Sequence, residues 1–167
     1  MQLDELKKIL DKMVAEMRDN LASTKTNASG RTSQSLRVVM TENGGQIWGR
    51  RYFRGTEQGR AGGAVPRNFT SIIRQWILDK GITPSAIPYK RKPSANWQPK
   101  YTPKERGLRQ MASAIAHTIE KSGTSLYRKG GRKDIFTNVI EDNKADILKV
   151  AKEIITTNLY GSYNGTK

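Results

Sequence analysis

Five arginines, Arg50, Arg51, Arg54, Arg60 and Arg67, fall within the eighteen residues RRYFRGTEQGRAGGAVPR, and a second basic run, Tyr89, Lys90, Arg91 and Lys92 with Trp97 beyond it, follows. A guanidinium offers a planar fork of donors that fits carboxylate or phosphate, and an interleaved aromatic ring can stack on a base. The chemistry open to these residues is capture of an anion, either nucleic acid or an acidic protein face. Proton-transfer chemistry has little to work with. Between residues 23 and 110 the carboxylates are only Glu42, Glu57, Asp79 and Glu105, and no pair has acid/base or metal spacing. His117 is the sole histidine, cysteine is absent, and no G-x-S-x-G occurs, so the sequence nominates no catalytic residue, no metal ligand and no cofactor-binding residue. The glycines at 55–63 precede a helix but lack the Gly-Lys-Ser/Thr ending of a phosphate loop and any G-x-G-x-x-G.

Charge sharpens the anion reading. Of the formal +15, residues 23–110 hold 17 Lys/Arg against four Asp/Glu, which is +13. Residues 1–22 hold four against five, and residues 111–167 nine against six. A basic middle between near-neutral ends implies an acidic partner, although a merely solvated basic surface has the same composition. No apolar run exceeds three residues and MQLDELKK has no apolar core, so neither a membrane span nor a secretory signal is expected, and synthesis and solubility in the cytoplasm are.

Helices and a hairpin must hold these residues. One domain over 1–167 is expected, of α+β class: an N-terminal helix, a small antiparallel sheet built on a hairpin, and three further amphipathic helices packed on it. Residues 1–22 form the first helix, since Leu3, Leu6, Leu10, Met13, Met17 and Leu21 recur at threes and fours. Residues 23–34 read as a polar loop. A hairpin over 35–53 turns at Asn43-Gly44, its return strand running from Gln46 to Phe53 with Trp48, Arg50 and Tyr52 on one face. A glycine-rich loop spans 54–67.

The expected hub is a helix over 68–80. Phe69, Ile72, Ile73, Trp76 and Ile77 gather five large apolar side chains on one face, and Gly81 supplies a left-handed stop. Residues 83–102 hold four of the six prolines and read as an extended basic arm, equally suited to nucleic acid or to a neighbouring protein. Thr102, Pro103 and Glu105 form a capping box for a helix over 103–122, closed by Gly123. A basic glycine turn at 125–133 leads to a last helix over 134–158, unbroken or divided near Asn143, and residues 160–167 form a fraying tail.

Taken together, ASGRTSQSLRV, the hairpin, RYFRGTEQGR, the PRNFTSIIRQWILDKGI helix, the A-x-x-I-A-x-x-I-x-x-x-G-T helix and a phenylalanine-led C-terminal helix resemble, in their order, the head-tail joining and tail-completion (neck) proteins of long-tailed double-stranded DNA bacteriophages. The resemblance spans roughly residues 1–158. It implies a structural virion protein, not an enzyme, that forms a ring, commonly a hexamer, between portal or connector and the tail tube or its terminator. Assembly would take place in host cytoplasm, with DNA passing through the lumen and no membrane contact. Residue by residue it places Gly30, Arg31, Ser35 and Leu36 at the start of the hairpin, Glu57, Gly59 and Arg60 after it, and Trp76, Lys80 and Gly81 at the hub. Two places depart from the family pattern: the stretch 83–102 is longer than the usual connection, and RKGGRKD stands where a proline-containing turn is expected. Six copies of a +15 chain would carry a formal +90, which demands acidic neighbours or DNA. The arginines and the 89–97 run are then interface or DNA-facing residues. A free, sequence-nonspecific DNA-binding protein is the alternative.

Overall fold

The computed structural model describes residues 2–24, 26–90 and 98–164. In chain order the elements are α1 (Gln2–Ser23), α2 (Arg31–Ser35), β1 (Arg37–Thr41), β2 (Gly44–Trp48), α3 (Gly55–Gln58), α4 (Phe69–Asp79), α5 (Pro103–Ser122), α6 (Ser125–Arg128) and α7 (Thr137–Asn164), an α+β fold. They gather into two compact units, one of Met1–Gln58 with Arg132–Lys167, the other of Gly59–Gly131.

In the first unit α1 lies against α7. The seam read from the sequence is the buried face: Leu6, Leu10, Met13, Met17 and Leu21, joined by Val14, meet Ile135, Val139, Val150 and Ile154. Burying each such side chain stabilises by roughly 1.5–3 kcal/mol, so this cluster is the main core of the unit. β1 and β2 pair antiparallel with Val39 opposite Gln46 and Thr41 opposite Gly44, which puts Glu42 and Asn43 in the two-residue turn. Val38, Met40 and Ile47 pack from this ribbon onto the helical core.

Several expected boundaries move. The return strand ends at Trp48 and not at Phe53, because residues 51–54 turn back before α3, so the two-face alternation expected through Tyr52 stops early. The polar loop at 23–34 gives way to α2 from Arg31 onward, its start fixed by Gly30 in the left-handed conformation with its N–H on the Asn27 side chain at 3.0 Å. α7 is a single helix. The Asn143 amide that marked a candidate break is buried, and its Nδ2 donates to the Val139 carbonyl at 2.9 Å, so the helix satisfies its own polar residue. Residues 160–164, expected to fray, continue α7, since no proline interrupts and extending a helix costs far less than starting one.

The second unit is built on α4 and α5, with Phe69, Ile73, Ile77, Leu108, Ala112 and Ala116 at its core. α5 begins as the sequence indicates: the Glu105 N–H donates to Thr102 Oγ1 at 3.2 Å, and the Thr102 N–H donates to Glu105 Oε2 at 3.0 Å. α4 ends as expected, with Gly81 at φ 66°, its N–H on the Leu78 carbonyl and the Ile82 N–H on that of Ile77. Its face is narrower than expected. Ile72 and Trp76 are 46% and 39% exposed, because the single helix opposite, lined by alanines, covers only the 69–73–77 stripe. The hub helix therefore centres this unit alone; the core of the first unit is organised by α1 and α7.

Two further expectations shift here. Residues 83–90 run extended along α5, so closely that a Cβ on Gly107 would sit 1.9 Å from the Ser85 carbonyl oxygen, and Ile87 donates to the Pro103 carbonyl at 2.9 Å. The glycine turn at 125–133 contains α6, capped by the Thr124 hydroxyl, which accepts from the Tyr127 N–H. The glycine-rich loop likewise opens with α3. Among the described residues no helix is long and apolar enough to cross a membrane.

Candidate functional site

After β2 the chain folds into a short basic turn whose every alternate support is internal. The Arg50 N–H donates to Ser35 Oγ at 3.1 Å, the Phe53 N–H to the Arg50 carbonyl at 2.8 Å, and the Gly55 N–H to the Tyr52 carbonyl at 3.0 Å. The Phe53 ring turns inward and packs 5.1 Å from that of Phe136. Four residues on, Glu57 is only 2% exposed. Its Oε1 accepts from the N–H groups of Ile135, Phe136 and Thr137 at 2.8, 2.7 and 3.0 Å, and Oε2 accepts from the Thr137 hydroxyl. These amides are the unpaired donors at the head of α7, where the helix dipole also favours negative charge. Burial pushes the Glu57 carboxyl up, but the Thr137 hydroxyl and the three amides together outweigh it and hold the pKa below the ordinary value of 4.5. The Arg132 N–H closes the joint by donating to the Glu57 carbonyl at 2.9 Å.

With Phe53 and Glu57 fixed inward, the residues between and before them face out. Arg50, Arg51 and Arg54 are exposed, Tyr52 is 79% exposed and Trp48 52%. Arg54 Nε donates to Gln58 Oε1 at 2.6 Å, and Trp48 Nε1 to Gln46 Oε1 at 2.8 Å. Among the described residues no carboxylate pairs with these three arginines, whereas Arg132 is neutralised by Asp134, whose own carboxyl is held low by the Arg132 side chain. The result is three guanidiniums and two rings on a backbone tied down by Ser35, by Phe53 on Phe136 and by Glu57 on the head of α7. With the backbone already held, only the side chains lose freedom when such a surface meets phosphate or carboxylate.

The other sequence-nominated residues sit in the second unit and do different work. Arg60 is half-buried: its Nη2 donates to the Ala64 carbonyl, its guanidinium lies 5.2 Å from the Phe69 ring, and its Nε is buried with no partner among the described residues. It borders a cavity of about 710 Å³ between α4, α5 and α6, walled by Phe69, Ile73, Trp76, Ile115, Ile119 and Leu126. Arg67 is exposed just before α4, and Lys90 is exposed. Tyr89 is a clamp and not a free stacking platform. Its hydroxyl donates to the Tyr101 carbonyl at 2.8 Å and its ring lies 4.0 Å from the Arg106 guanidinium, while Arg109 covers the Tyr101 ring at 3.9 Å. Arg91, Lys92 and Trp97 lie outside the described residues.

The seven nominated positions among the described residues thus divide between two units, and of these Arg50, Arg51 and Arg54 form one compact group. Sequence reasoning missed Arg106 and Arg109, although their spacing of three on a capped helix places both on one face. It also gave Glu57 no role; its partners lie 78–80 residues away in the chain. No protein-family model, no curated protein and no solved structure matches this chain.

Proposed function

We propose that this chain is a structural virion protein of a tailed bacteriophage. It forms a ring at the head-tail junction that links portal or connector to the tail tube, and assembles in host cytoplasm. The observation that supports this best is the braced turn carrying Arg50, Arg51 and Arg54 outward with no carboxylate among the described residues to neutralise them. A ring subunit needs such a surface at fixed geometry, either against an acidic face of a neighbour or toward DNA in the lumen. The order of motifs along the sequence agrees with the same reading. Gold labelling of a tagged chain on tailed particles tests it: label at the neck supports the proposal, and label on the capsid shell, on the tail tip or only on free protein refutes it.

A second reading, a free sequence-nonspecific DNA-binding protein, draws on the exposure of Tyr52 beside those arginines. It requires log K for duplex DNA to fall linearly with log salt, with a slope of about 0.9 per phosphate contacted. A flat salt response removes it.

A further inference from the structure

Within the second unit, the groove between α4, α5 and α6 is apolar along its walls and carries arginine at its margins, Arg60 and Arg128. Ile72 and Trp76 of α4 remain exposed beside it. The buried Nε of Arg60, like that of Arg74 on α4, has no acceptor among the described residues, which is an uncommon state for a buried donor and one that an incoming carboxylate or carbonyl would correct. An occupant that suits these walls presents large aliphatic side chains with a carboxylate close by.

α7 presents that combination. Ile140, Leu148 and Ile155 are exposed, and their spacings of eight and seven keep them on one face of the helix over about 22 Å. Glu141 flanks the same stripe, since it stands seven residues before Leu148; its pairing with Lys144 at 3.7 Å is solvent-exposed and easily exchanged. Charge agrees. The second unit carries 14 Lys/Arg against three Asp/Glu, a net +11, whereas α7 carries three lysines against four carboxylates, a net −1. α1 has the same net charge, but its apolar seam is already buried.

We infer that the groove of one copy receives α7 of a second copy, with Leu148 seated between α4 and α5 and Glu141 paired with Arg128 or Arg60. Groove and stripe are different surfaces, so the contact is head-to-tail and closes into a ring when its rotation divides a full turn. This rests on the ring reading and names the surfaces that would build it.

The test uses the full chain. Equal parts of unlabelled and ¹⁵N-labelled protein, each with a photo-reactive benzoylphenylalanine in place of Ser125 on the groove wall, are irradiated and digested. Mixed-isotope cross-links from position 125 to α7 residues near 140–152 are expected. Leu148→Asp should weaken self-association at least tenfold and Glu141→Arg about tenfold, with Arg128→Glu restoring the latter. Closed rings that persist in Leu148→Asp, or cross-links that avoid α7, overturn the inference and leave the ring reading standing. A wild-type chain that pairs through these surfaces only as far as a dimer keeps the inference and removes the ring. A chain that is monomeric both alone and on particles removes both.

Discussion

The first unit buries a carboxylate and surrounds it with four donors, while the second buries the Nε atoms of Arg60 and Arg74 with no acceptor among the described residues. Glu57 and Arg60 are three residues apart in sequence, yet both carboxylate oxygens of the first are bonded while the Nε of the second is not. The contrast separates what holds the fold from what waits for a partner. A buried charge that is fully hydrogen-bonded specifies structure, because removing it strands several donors at once; a buried donor without an acceptor costs its desolvation with no bond in return.

Breaking the joint should have the largest effect. Glu57→Ala leaves the amides of residues 135–137 and the Thr137 hydroxyl without their acceptor, and should cost on the order of 3–5 kcal/mol in urea melts. Glu57→Gln keeps the shape and should cost about 1–2 kcal/mol. It should also change the acid limb of stability. The folded Glu57 pKa lies below 4.5, so its contribution is fully present above that value and is lost as pH falls through the folded pKa. Wild type should therefore lose more stability between about pH 5 and pH 3 than Glu57→Gln does; parallel curves would show that the carboxylate is not what the α7 amides hold.

The core of the second unit comes next. Ile77→Ala removes a fully buried side chain and should cost about 3 kcal/mol, whereas Trp76→Ala, at a half-exposed position, should cost only about 1–2. Equal losses would mean that the Trp76 flank is covered after all. Arg60→Met loses the Nη2 bond to Ala64 and the contact with Phe69 but also removes the unpaired Nε, and should leave thermal stability within about 1 kcal/mol of wild type. A loss near that of Glu57→Ala would erase the distinction between the two residues. The smallest effect on folding belongs to the triple change of Arg50, Arg51 and Arg54 to Ala, within about 0.5 kcal/mol. If DNA is the partner, the same change should flatten the salt dependence of binding by about 0.9 for each phosphate contact removed.

Local chemistry was legible in the sequence and distant chemistry was not. The Thr102–Glu105 capping box, the Gly81 stop and the α1 seam each depend on residues within a few positions of one another, and all three stand in the structure as read. Trp76 was misjudged because helical period gives the direction of a side chain but not the width of the element that covers it. α2, α3 and α6 were missed because four or five residues carry no measurable period. The division at Gly59 was invisible because composition does not change there. At the candidate site the sequence singled out Arg50, Arg51 and Arg54 but not the bracing of the turn that carries them, which comes from Phe53 on Phe136 and from Glu57 on the head of α7.

Native mass spectrometry of the full-length chain near neutral pH bears most directly on the proposed ring. The account predicts one closed oligomer of defined copy number, held together without any added partner and dispersed by Leu148→Asp. A wild-type chain that stays monomeric at high concentration, and remains so when mixed with purified particles, would contradict it.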